Sequence, residues 1–172
     1  MMVPAYKREA INRMGARLRS TLKRCDPPLP DSLRFMAVQS VKEGITRGVQ
    51  GFSEIYPGMK KFAQWGGCSE RQARRNVRAL QNWGVLTEVS HGKGGRNSTR
   101  YWVEPESLIR AAMAMQANPH PDLVAEIRDM RADMRADIYP GHKAGHMSAG
   151  IYNTTPGTKA HPMQASEGST NE

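Results

Sequence analysis

At 172 residues the chain is long enough for one ordinary domain with extensions, or for two small domains. Its hydrophobic share of 38% leaves part of it outside a packed core, and a net charge of +9 with a pI near 9.9 favours a polyanionic partner, nucleic acid or an anionic surface. No apolar run reaches the roughly 18 residues of a bilayer span, and Lys7 and Arg8 have no apolar stretch behind them, so a soluble, cytoplasmic chain without a secretory leader or a membrane partner is expected.

The charge is unevenly spread. Residues 1–25 carry seven Lys/Arg against one acid, and residues 57–103 carry nine against two. The near-neutral segment between them and the acidic remainder mark two basic surfaces, beyond a general need for solubility. Cys25 and Cys68 are the only cysteines, too far apart in sequence for a metal knuckle or a redox pair, and both read as reduced small hydrophobes.

In chain order, residues 5–25 predict an amphipathic helix with Ile11, Met14, Leu18, Leu22 and Cys25 on one stripe and basic residues on the other faces. The prolines of Asp26-Pro27-Pro28-Leu29-Pro30 end it, since they lack donors and restrict the residue before them. Asp31 or Ser32 caps a second helix to about Glu43, burying Leu33, Met36, Ala37 and Val41, and the three glycines in 44–53 suggest a loop. Pro57 suits the first turn of a short helix with Met59, Phe62 and Ala63 as its apolar face, broken by Gly66-Gly67. Ser69 starts the next helix, 69–83, with Gln72 placed to complete a capping box, and Gly84 ends it.

Val85 to His91 and Thr99 to Val103 are rich in β-branched and aromatic residues and predict a hairpin around Gly92–Ser98. Pro105 opens a helix to about residue 117 with the stripe Leu108, Ile109, Ala112 and Met115. Asp122 begins a last helix with Leu123, Ile127, Met130 and Met134, whose spacing offers a short dimer seam. From Pro140 onwards there is no Leu, Val, Phe or Trp, and such a stretch predicts a disordered tail. The whole is a mainly α chain with a small β-hairpin. It divides into a basic helix and linker at 1–30, a domain at 31–117, a C-terminal helix at 118–139 and the tail at 140–172.

On a 100° wheel with Ala73 at zero, Val77 falls near 40° and Leu80 near −20°, while Arg71, Arg74, Arg75 and Arg78 fall between about 100° and 200°. Four guanidiniums on one exposed face repel one another, and a counter-anion relieves that cost. A merely solvated face mixes signs, and this one does not.

Short helix, tight turn, basic helix, strand, basic turn and strand follow one another here. With Tyr56-Pro57-Gly58-Met59, Phe62-Ala63, Gly67-Cys68-Ser69, Arg74-Arg75, Gly84-Val85-Leu86 and "HGKGGRNSTRYWV", residues 56–103 resemble the winged helix-turn-helix domains of bacterial, plasmid and phage DNA-binding proteins. Gly66 departs from that pattern where a bulkier residue is common, as do Gln72 and Ala73 where Thr and a larger aliphatic are usual. The resemblance implies that helix 69–83 enters the major groove of double-stranded DNA. Ser69, Arg71, Gln72, Arg74 and Arg75 would then read bases, each good bidentate pair contributing about 1–3 kcal/mol of discrimination. Arg78, Lys60 and Lys61 would hold phosphates, while Lys93 and Arg96 at the tip of the 85–103 wing, with Arg100 as a weaker candidate, would reach backbone or minor groove.

The role implied is transcription regulation or phage or plasmid replication initiation, with the corresponding machinery as partner. A protein-interaction adaptor is the alternative. "GKGG" lacks the P-loop spacing, His142 and His146 lie in the tail, and no nucleophile has a partner, so neither cofactor, metal nor enzymatic activity is expected. No second domain for an effector is expected either. Trp65, Trp83 and Trp102 read as packing residues at the domain's edges, and the N-terminal helix either packs on the domain or makes a second contact.

Overall fold

The computed structural model describes residues 2–52, 54–90 and 98–138, the side chains of 133–138 excepted. Six helices and one hairpin run in the order α1 (Ala5–Lys23), α2 (Asp31–Val49), α3 (Met59–Gly66), α4 (Glu70–Asn82), β1 (Leu86–Ser90), β2 (Arg100–Val103), α5 (Pro105–Ala114) and α6 (Pro121–Ile138). The expected α+β class, mainly helical with a small antiparallel sheet, is what forms. The expected tail at 140–172 and the hairpin tip at 91–97 lie outside the described residues.

Helix α2 is the centre of the architecture, packing against α1, α3, α4, α6 and β2. Its buried side chains Leu33, Met36, Ala37, Val41 and Ile45 join Met14, Leu18 and Leu22 of α1 and Leu123 and Ile127 of α6 in one core. The helices expected as extensions at the two ends are therefore part of the same packed body. Leu123 and Ile127 are 0% exposed and Met130 packs partly buried against the core, so these three residues of the stripe expected as a dimer seam are covered within the chain, while the Met134 side chain lies outside the described residues. Apolar spacing reports that a face is buried, not whose atoms cover it. Arg131 adds a polar tie from α6 to the start of α5, donating to both carboxylate oxygens of Glu104 at 2.5 and 3.0 Å.

The expected loop at 44–53 is corrected: α2 continues through Gly44 to Val49. A Cβ on Gly44 would stand 2.8 Å from Val103 Cβ and 3.0 and 3.1 Å from its two methyls. Glycine is there because β2 crosses α2 closely, and its helix cost is offset by that contact. The segment after α2 is held by Arg47. Its Nε donates to the Glu54 carbonyl at 2.8 Å, and its guanidinium lies 4.8 Å from the Phe52 ring centre and 4.3 Å from that of Tyr56.

In the hairpin, Leu86 pairs with Val103, Thr87 with Trp102 and Glu88 with Tyr101, with a register shift between Glu88 and Ser90. Tyr101 and Val103 face the core while Arg100 and Trp102 face out, the alternation of a half-buried strand. Ile55 adds a single antiparallel bridge on the other side of β2. Its N–H donates to the Tyr101 carbonyl at 2.9 Å and its carbonyl accepts from the Tyr101 N–H at 2.8 Å. Phe62 packs edge-on against both Trp65 and Tyr101, with ring centres 5.4 and 5.8 Å apart, joining α3 to the sheet. Trp65 and Trp83 pack half-buried against the core, whereas Trp102 is 38% exposed.

Candidate nucleic-acid interface

Helices α3 and α4 meet at a corner made by Gly67 in the left-handed conformation, φ 58°. Its neighbour Gly66 has a different reason to lack a side chain: a Cβ there would sit 2.9 Å from the Ser32 carbonyl oxygen of α2. A bulkier residue at this place would push the end of α3 off α2. The corner closes with the Cys68 N–H donating to the Ala63 carbonyl at 3.0 Å.

Ser69 is the N-cap of α4, its hydroxyl accepting from the Gln72 N–H at 3.3 Å, which satisfies one of the helix's free donors. The return half of the expected capping box is not made. The Gln72 side chain instead donates from Nε2 to Asn76 Oδ1 at 2.9 Å, and Asn76 donates from Nδ2 to Ser32 Oγ at 3.2 Å. Asn76 is buried between Ala73, Val77 and Leu80, so this amide chain fixes α4 to the N-terminal turn of α2. Asn76 was not anticipated, although a polar amide on the core side of the helical wheel was the available signal. The expected cap of α2 by Asp31 or Ser32 is corrected: Pro30 holds the cap position without a side-chain bond, and Ser32 accepts from Asn76.

Arg71, Arg74, Arg75 and Arg78 are all exposed on the face opposite Ala73, Val77 and Leu80. The one ion pair formed by the four among the described residues is Arg74 with Glu70 at 3.9 Å, across two exposed side chains. Such a pair contributes little. Among the described residues no carboxylate of α6 pairs with the row. Glu126 faces α1, at 3.9 Å from Arg13 and 3.4 Å from Arg17. Lys60 and Lys61 are exposed on α3, away from its buried Phe62, Ala63 and Gly66.

The remaining candidates separate. Arg100 is exposed but engaged, its Nε donating to Ser90 Oγ at 3.0 Å and its Nη1 to Glu54 Oε2 at 3.3 Å, so it braces the base of the hairpin. Lys93 and Arg96 lie outside the described residues, as do His142 and His146. Comparison with protein-family models, curated proteins and solved structures returned no match.

Four exposed guanidiniums with a single 3.9 Å carboxylate contact thus stand on a helix whose inner side is tied to α2 by a buried amide. Among the described residues no three His, Cys, Asp or Glu side chains gather to hold a metal ion, and no helix is long and apolar enough to cross a membrane.

Proposed function

We propose that the protein binds double-stranded DNA as a winged helix-turn-helix, with α3 and α4 as the helix-turn-helix and residues 85–103 as the wing. In this reading the N-terminal half of α4 lies in the major groove. Arg71, Arg74 and Arg75 read base edges, Ser69 lies at the helix start, and Arg78, Lys60 and Lys61 hold phosphates. Gln72 reaches a base only by giving up its bond to Asn76, so it is the weakest of the readers. Arg100 acts by bracing the hairpin. The observation that carries the reading is the exposed row of four arginines with a single, 3.9 Å carboxylate contact. Bringing like charges together is costly unless a polyanion neutralises them.

Titration of a labelled duplex across salt concentrations tests it. Six to eight phosphate contacts predict that log K falls with log[salt] at a slope of about −5 to −7, near 0.9 per contact. A protein-docking adaptor would retain no DNA and show no such slope. Mapping bound sites on a genome then separates transcription regulation from replication initiation, since operators and origins differ in position and repeat structure.

A further inference from the structure

The basic residues of α1 fall into two strips that behave differently. With Leu18 at zero on the wheel, Arg13, Arg17 and Arg24 fall at about 220–260°, and Arg8, Arg19 and Lys23 at about 80–140°. The first strip is satisfied within the fold. Arg13 and Arg17 face Glu126, and Arg24 Nη2 donates to the Asn118 carbonyl at 3.1 Å. Of the second strip, Arg19 reaches α2. There the Arg19 guanidinium carbon lies 5.3 Å from the centre of the Phe35 ring, which is 39% exposed. The Lys42 stem crosses α1 at Gly15, where a Cβ would stand 2.8 Å from Lys42 Cδ. Among the described residues no carboxylate pairs with Arg8, Arg19, Lys23 or Lys42. Burial and then the Arg19 charge both hold the Lys42 amine below its ordinary range, a strain that an anion would relieve.

We infer that Arg19, Lys42 and the Phe35 ring between α1 and α2 form a second phosphate-backbone contact, flanking the segment engaged by α4. Position supports this. Ser32, Phe35, Gln39 and Lys42 share one side of α2, at about 140–220° from Ala37, and Ser32 is the residue that bonds Asn76 of α4. The strip thus starts where α2 meets the corner between α3 and the buried side of α4, and it runs ten residues, about 15 Å, along α2. That is the rise of about four base pairs at ~3.4 Å each. A bilayer surface is the less suited partner, since Phe35 is the one large exposed hydrophobic on the strip and is covered by Arg19.

The inference rests on the DNA-binding reading, and the experiment separates the two. Binding of the full chain to a 30-base-pair duplex is measured across salt for wild type, Arg19→Gln/Lys42→Gln and the charge-keeping Arg19→Lys/Lys42→Arg, with phosphatidylserine vesicles as a parallel probe. Loss of two contacts makes the slope shallower by about 1.8, so between 50 and 200 mM salt the Gln variant loses about twelvefold less affinity than wild type. The charge-keeping variant retains the wild-type slope. An unchanged slope in the Gln variant, with wild type still binding, overturns this contact and leaves the α4 reading intact. Wild type that binds vesicles but no duplex, or binds neither, overturns both.

Discussion

Gly44 is where local preference and tertiary packing disagree most sharply, so Gly44→Ala is the most informative change to the fold. In a solvent-exposed helix this substitution stabilises by about 0.8–1 kcal/mol, because alanine loses less backbone entropy. Here the added methyl would meet three atoms of Val103 at 2.8 to 3.1 Å, and the closest is Cβ, which moves only with its strand. Crowding of that kind costs about 1–3 kcal/mol, and three contacts on a fixed strand argue for the upper part, about 2–3 kcal/mol. The net is a loss of about 1–2 kcal/mol. For a chain of this length that lowers Tm by about 2–8 °C, measured by circular dichroism or calorimetry. Gly15→Ala is the internal control. Its methyl meets Lys42 Cδ at 2.8 Å, part of a side chain free to swing aside, so it is expected to be neutral or to raise stability by up to about 1 kcal/mol. A Gly44→Ala protein as stable as wild type would refute the claim that the α2–β2 crossing, and not a loop, explains this glycine.

Three further outcomes are expected. Arg71→Ala and Arg75→Ala each relax sequence preference by about 1–3 kcal/mol in a binding-site selection, whereas Arg78→Ala weakens binding evenly; equal losses on all sequences for all three would remove the base-reading assignment. Ile127→Ala costs about 2–5 kcal/mol in urea unfolding with a midpoint independent of protein concentration, and an effect confined to self-association would restore the dimer-seam reading. A thiol reagent modifies the partly exposed Cys68 in the native protein but Cys25 only after denaturation, because Cys25 is buried and burial raises its pKa against the opposing pull of Arg34; rapid native labelling of Cys25 would contradict the α1–α2 packing.

Much of the fold was legible because its signals are local. The α4 face is read from the spacing of Ala73, Val77 and Leu80 alone, Ser69 announces its cap, and Pro105 the start of α5. What was not legible depends on partners distant in sequence. Gly44 looks like a loop residue until Val103 is found against it. Ile55 forms no run of its own, and its bridge exists only because Tyr101 arrives beside it. The α6 stripe is spaced equally well for a second copy or for α2. Among the candidate site residues, the sequence wheel already separates the four arginines from the core. It does not distinguish Arg100, which is engaged by Glu54 and Ser90, from the α4 row, whose one ion pair among the described residues is Arg74 with Glu70 at 3.9 Å.

The bond from Asn76 to Ser32 has a consequence for how α4 presents itself. An aliphatic side chain at 76 would fill the same space while tolerating several settings of the cylinder about its long axis. A buried amide has few acceptable partners, so it selects one setting and penalises neighbouring ones. Rolling α4 by a single residue would turn its outward groups by about 100° and present a different set to whatever lies outside. The amide therefore acts as an angular key, giving up some cohesion to make the outward chemistry of that cylinder unambiguous.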